Sequence, residues 1–248
     1  MAVVVADSLF IEPNHPRVIR KEIFLRRWPS RLEGFTIALL SDFHYDPYFS
    51  VHPIRSAVDI INGLQPDLIA LTGDFVSAPW FGDIAKGAAV AEPCAQLLGK
   101  LQAPCGLWAV LGNHDAYTDP DRVTETLRAV GIPVLSNRSV PVEKDGARFW
   151  LGGVDDVLEG TADLDAALHD ARSEEAFVLM AHEPDYADYV ACQERVGSAW
   201  QNGEHWARMS ILNTARSGKF SSDRAVREYC DDIWNVKPLR ITLDPSMS

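Results

Sequence analysis

Four short apolar runs punctuate the first three quarters of the chain: Thr36 to Leu40, Leu68 to Leu71, Leu107 to Leu111 and Phe177 to Ala181. They are rich in Ile, Leu, Val and Phe and bounded by polar residues or Gly, the pattern of buried β-strands. Between them lie three stretches of helix length, His52 to Leu64, Ile84 to Leu101 and Asp119 to Val130. The last opens on an Asp119 N-cap with Pro120 at the first helical position and stops at Gly131, the expected punctuation of a helix. Strand–helix–strand alternation predicts an α/β fold with a largely parallel sheet. Val140 to Val154 departs from that rhythm: two alternating segments flank Lys144-Asp145-Gly146, which predicts a hairpin. From Gln193 onward the strand signal ends, and Ala199 to Arg216 and Arg224 to Val236 read as helices, with Val226, Tyr229 and Ile233 on one face of the second. A domain boundary is expected within residues 186–192.

Composition narrows the class. A chain of 248 residues with 47% hydrophobic and 23% charged residues is an ordinary globular sequence, and no apolar run reaches the ~18 residues of a membrane helix. The four cysteines, Cys94, Cys105, Cys192 and Cys230, form no C-x-x-C pair and read as free thiols. A net charge of −12 argues against a nucleic-acid partner. The acid is uneven: residues 1–190 carry 28 acidic against 15 basic side chains, and residues 191–248 carry 7 against 8. The last quarter therefore has a different character from the rest.

Every one of the four apolar strands runs into residues that bind hard or intermediate metals. The first leads to Ser41-Asp42-Phe43-His44, the second to Thr72-Gly73-Asp74, the third to Gly112-Asn113-His114-Asp115 and the fourth to His182-Glu183. Ligands of open α/β sheets bind beyond the carboxyl ends of the strands, so four parallel strands would gather Asp42, His44, Asp74, Asn113, His114 and His182 at one rim. Carboxylate, imidazole and amide oxygen together suit Mn, Fe or Zn rather than a thiolate site. Two such ions about 3.5–4 Å apart can activate water and stabilise the leaving oxygen of a phosphoester. A single Asp after a strand is ordinarily a turn residue; four clusters at the same end of four strands are the signal.

The ordered set Asp42-x-His44, Gly73-Asp74, Gly112-Asn113-His114-Asp115 and a lone His182 resembles the calcineurin-like metallophosphoesterases. The run Leu32 to His44 is similar to their YaeI/YkuE-like bacterial phosphodiesterase branch, and the resemblance covers about residues 17–188. It implies a four-layer α/β/β/α sandwich whose second sheet contains the Val140–Val154 hairpin. It also implies two divalent ions: Asp42 and His44 on the first, Asp74 bridging, Asn113 and His182 on the second. His114 is then a catalytic acid rather than a ligand, oriented by Asp115. Residues 1–16 form an N-terminal extension that reads as the remnant of an anchor carried by some relatives. Membrane association is expected only with such an anchor, and the chain as given is expected to be cytoplasmic.

The family's Gly-His-x-His motif, which supplies one imidazole to each metal beyond the lone His, is missing here. His205 lies in Asn202-Gly203-Glu204-His205-Trp206 with no Gly directly before it and no second His, and reads as a solvated helix residue. Instead, Tyr189 to Val196 and Trp206 to Arg224, continued by Arg227 to Cys230 and Ile233-Trp234, resemble the C-terminal end of α-glucan (glycogen) phosphorylase over about residues 189–240. That segment of the phosphorylases does not carry the cofactor lysine, so Lys219 is not expected to hold pyridoxal phosphate. Gly218-Lys219 is no P-loop either, since Asn213 stands where its first Gly is required.

The chain thus reads as a chimera: a C-terminally incomplete metallophosphoesterase-like domain, 17–188, with a phosphorylase-like helical appendage, 189–248. The expected activity is hydrolysis of a small phosphoester, impaired by the missing imidazoles. The alternative is a non-catalytic metal- or phosphate-binding or interaction protein; α-glucan phosphorylase activity is not expected, because the sugar-binding core is absent.

Overall fold

The computed structural model describes residues 16–183 except 26, 80–82 and 173, together with 203, 204, 207 and 208. The chain divides into two compact units, Met1–Tyr186 and Ala187–Ser248. In the second, the four described residues are all helical. The expected boundary at 186–192, His205 and the helix Arg224–Val236 lie outside the described residues.

Among the described residues, the first unit contains two three-stranded sheets. In the first, β1 (Ile37–Leu40), β2 (Leu68–Thr72) and β3 (Leu107–Val110) run parallel in the order β1-β2-β3. The second contains β4 (Arg138–Lys144), β5 (Ala147–Gly153) and β6 (Phe177–Met180). There β4 pairs antiparallel with β5, and β5 parallel with β6. The β4–β5 hairpin turns on Asp145 (φ 53°) and Gly146 (φ 71°), two left-handed residues as a type I′ turn requires.

The expectation that all four apolar runs share one parallel sheet is corrected here. The fourth apolar run does form a strand, but β6 pairs with β5 in the second sheet. Its connection from β5 passes through the short helix α5 (Leu164–Leu168), which contacts β4 and β5.

Helix α1 (Val51–Leu64) links β1 to β2, α2 (Ala91–Leu98) lies between β2 and β3, and α3 (Asn113–Thr118) and α4 (Pro120–Ala129) lead from β3 toward the second sheet. The stretch expected as one helix over Ile84–Leu101 is two elements: a 3₁₀ helix, Ile84–Val90, followed by α2. Pro93 explains the break. Without an N–H it belongs in the first turn of an α-helix, which places the start of α2 just before it. Asp119 caps α4 by accepting the Arg122 N–H, and Pro120 follows at the first position, as expected.

Strand β2 is buried at all five positions because both its faces are covered. Ile69 and Leu71 pack in a core with Val58, Leu98, Val123 and Leu127 from the helices. Leu68 and Ala70 join a second core with Val142, Phe149, Leu151 and Met180 of the other sheet. Helices, sheet and sheet are therefore three successive layers of the first unit. An aromatic cluster of Trp28, Phe35 and Phe149 closes one end of the inter-sheet core. The Lys144–Asp67 ion pair links the end of β4 to the residue before β2. No helix among the described residues is long and apolar enough to cross a membrane.

Candidate metal centre

The site lies where the chain leaves β1, β2, β3 and β6. After β1 and β2 it turns sharply: Asp42 (φ 57°), His44 (φ 38°), Gly73 (φ 93°) and Asp74 (φ 56°) all have left-handed backbone. For a non-Gly residue such a conformation costs roughly 1–3 kcal/mol, persists only where the surroundings fix it, and clusters at functional sites. The fixing is visible. The two turns run side by side, with Asp42 N–H donating to Gly73 O (3.1 Å), His44 N–H to Asp74 O (2.8 Å) and Tyr45 N–H to Phe75 O (3.1 Å). Phe43 stacks on Phe75 with centroids 5.3 Å apart.

Asp74 is the hub. It is buried at 2% exposure, its Oδ1 accepts the His114 N–H at 2.9 Å, and its Oδ2 meets two imidazoles. His44 Nε2 stands 3.3 Å from that oxygen and His182 Nε2 3.5 Å. Burial alone would raise the Asp74 carboxyl; hydrogen bonds from His182 and the His114 amide, helped by the two imidazoles, hold it below its ordinary range. Its bond to Asp74 pushes His182 the other way, up to about 9, against the effect of burial. Asp42 Oδ1 lies 3.8 Å from His44 Nε2 and is far more exposed.

These donors fit divalent ions. Metal ligands about 2.0–2.2 Å from a common ion stand about 3–3.5 Å apart, the spacing found around Asp74 Oδ2. Among the described residues, two clusters of metal-binding residue types stand out, His44 with Asp74 and His114, and Asp42 with Asp74 and His182, each with one such atom per residue within 4.8 Å of the others. Asp74 belongs to both. Asn113 opens α3 between Gly112 and His114. Gly112 is tight against the hub: a Cβ there would meet both carboxyl and backbone of Asp74, and lie 2.9 Å from His182 Cε1.

The histidines are sorted by what sits at Nδ1. His182 Nδ1 donates to the Thr72 carbonyl at 2.6 Å, leaving Nε2 to face Asp74. His44 Nδ1 pairs with Ser77 Oγ at 3.1 Å. His114 Nδ1 instead accepts the Ala78 N–H at 3.0 Å, so the neutral ring carries its proton on Nε2.

Asp115 differs from its expected role. Its carboxylate does not bond the His114 ring: Oδ1 accepts the Val76 N–H at 3.1 Å and Oδ2 the Gly112 N–H at 3.0 Å. Fully enclosed, it is pushed up to about 7 by burial, against those two bonds. It holds the loop that carries Asn113 and His114. Next to His182, burial and then the Asp156 carboxyl push Glu183 up to about 7. Ser77 and Ala78 were invisible as site residues in the sequence; the only signal was their nearness to Gly73-Asp74.

A zebrafish (Danio rerio) transmembrane protein with metallophosphoesterase domain is 30% identical over 206 residues, covering 78% of this chain and 45% of that protein. The Bacillus subtilis uncharacterized metallophosphoesterase YkuE is 30% identical over 180 residues, 72% of this chain and 61% of its own length. Most of this chain is homologous to metallophosphoesterases.

A short segment is homologous to something else. The profile of the carbohydrate phosphorylase family matches residues 159–236, and the Synechocystis glycogen phosphorylase is 58% identical over 60 residues, 24% of this chain and 7% of that enzyme. The phosphorylase match begins at residue 159, ahead of β6, so it overlaps the metallophosphoesterase-like part instead of starting at residue 189. A solved archaeal phosphodiesterase aligns over 47% of this chain and 57% of its own at 22% identity and a TM-score of 0.31, too loose to define the fold. The chain spans less than two thirds of the length of the curated relatives it matches.

Proposed function

We propose that residues 17–188 form a metal-dependent phosphoesterase domain, built as an incomplete four-layer α/β/β/α sandwich and joined to a helical, phosphorylase-like appendage. One observation carries the reading: a single buried carboxylate oxygen, Asp74 Oδ2, faces the Nε2 atoms of His44 and His182, brought to it from two different sheets. Asp42 and His44 would hold one divalent ion, Asn113 and His182 a second, and Asp74 would bridge. Bound Mn, Fe or Zn would supply Lewis-acid charge at the phosphoryl oxygens and acidify water.

The protein's own groups do the rest. Asp74, held in its ionised form by its hydrogen bonds, offers a carboxylate to an arriving cation. His114 holds a proton on Nε2 and passes it to the leaving-group oxygen of a small phosphoester. Asp115 keeps the Gly112–His114 backbone against the hub.

The same reading makes the enzyme slow. The two imidazoles of the missing Gly-His-x-His motif would have completed both ion sites, and even losing a partner that only supports a ligand costs 10–100-fold in affinity or activity. No pyridoxal phosphate is part of the proposal. Hydrolysis of bis-p-nitrophenyl phosphate by the manganese-loaded chain tests it: turnover well below that of a relative with the motif, abolished in Asp74→Asn, is expected. Turnover equal to that relative's would overturn the impairment, and none above buffer would overturn catalysis.

The phosphorylase-like segment favours a second reading, a non-catalytic protein whose remaining ligands bind metal or phosphate. Metal uptake without any turnover would select it.

A further inference from the structure

We propose that Ser77 is a positioning residue that keeps His44 in the form of a metal ligand, while the neighbouring Ala78 amide keeps His114 in the opposite form of a proton donor. This rests on the reading of the site as a divalent metal centre and deepens it.

The two rings are otherwise alike. They meet edge to face with centroids 4.8 Å apart, and both have a ring nitrogen within reach of Asp74. What separates them is the polarity of the group at each Nδ1. A backbone N–H can only donate, so Ala78 obliges His114 Nδ1 to accept and leaves the neutral ring's hydrogen on Nε2. Such a ring has a proton to give and no lone pair for a cation. A serine hydroxyl can accept. With Ser77 Oγ taking the hydrogen of His44 Nδ1, the Nε2 lone pair is free and directed between Asp74 and Asp42.

The strap that carries both groups is fixed by its backbone. Val76 N–H is tied to buried Asp115, Phe75 O accepts from Tyr45 N–H, and Gly87 lets the 3₁₀ helix approach so closely that a Cβ there would lie 2.6 Å from Ser77 O. Against this frame the Ser77 hydroxyl is a separable feature that can be removed without moving the strap. A partner at the far nitrogen of a ligating imidazole fixes its tautomer and orientation, and removing one typically costs 10–100-fold in metal affinity.

The test uses the full chain freed of metal and titrated with Co²⁺, in wild type, Ser77→Ala and Ser77→Thr, with ¹⁵N imidazole spectra of each loaded form. Ser77→Ala is expected to weaken cobalt binding on the order of tenfold and to leave His44 in mixed tautomers, with melting temperature and the His114 Nε2–H signal unchanged. Ser77→Thr, which restores the hydroxyl, is expected to recover both the affinity and the His44 tautomer. Cobalt binding by Ser77→Ala equal to wild type, with an unchanged His44 spectrum, overturns this proposal alone. Absence of cobalt uptake by the wild type overturns the metal-centre reading and this proposal with it.

Discussion

His182 and Asp74 face each other across the two sheets, Nε2 to Oδ2 at 3.5 Å, with His182 following β6 of one sheet and Asp74 following β2 of the other. The pair ties the site to the way the sheets pack. Anything that shifts the second sheet moves a ligand.

The pair also makes the metal-free protein sensitive to pH. His182 rises from 6.5 to about 9 on folding, chiefly through its bond to Asp74. A group whose folded value is raised stabilises the fold fully below its unfolded value and loses that contribution as pH climbs through its folded one. The melting temperature of the metal-free chain should therefore fall between pH 6.5 and 9, on the order of 5 °C, and His182→Gln should flatten the decline. An unchanged melting temperature across that range would contradict the pairing.

Cations compete for the same proton. At pH 7.5 metal uptake should displace about one proton from His182, seen as a dependence of the calorimetric binding enthalpy on buffer ionisation when HEPES and Tris are compared. Apparent affinity should rise with pH and level off near 9. Identical enthalpies in the two buffers would exclude His182 as a ligand.

Gly112 tests the closeness of packing at the hub. Its φ of −104° and ψ of 177° suit any residue, so substitution acts through contact alone. Gly112→Ala puts a methyl group onto Asp74 and His182, and overpacking of this kind costs about 1–3 kcal/mol. Metal content should drop together with stability, and a variant retaining full metal would show the site to be looser than described.

The inter-sheet core is uneven. Phe149, fully enclosed against Trp28 and Phe35, should cost about 3–5 kcal/mol on replacement by Ala. Leu39 alternates with Ala38 and Leu40, which pack toward the helices, and yet is 67% exposed. The second sheet does not cover it, so Leu39→Thr should change stability by less than about 0.5 kcal/mol and should improve solubility. Denaturant titration of both variants separates the two positions.

Much of this was readable in advance because it is local. Strands β1, β2 and β3 appear within a residue or two of the apolar runs that announce them, the α4 cap is written as Asp119-Pro120, and the hairpin turn is written as Asp145-Gly146. The sheet to which β6 belongs was not readable: an apolar run specifies a strand, whereas its partner depends on packing between layers. The loop role of Asp115 was equally hidden, since a carboxylate next to a histidine in sequence can turn toward backbone amides on the other side. Ser77 and Ala78 carry no motif, and their bonds to His44 and His114 exist only because the chain after β2 lies against the segments that follow β1 and β3. Helix α3 is six residues long, too short to show a period.

Metal content by elemental mass spectrometry, on the purified wild type and on Asp74→Asn, tests the central claim most directly. Divalent metal bound to the wild type and lost in Asp74→Asn is the predicted result, because one buried carboxylate serves both ligand groups. Near-zero metal in both after incubation with Mn²⁺ or Zn²⁺ would contradict it, leaving the convergence of Asp42, His44, Asp74 and His182 without a cation to explain it.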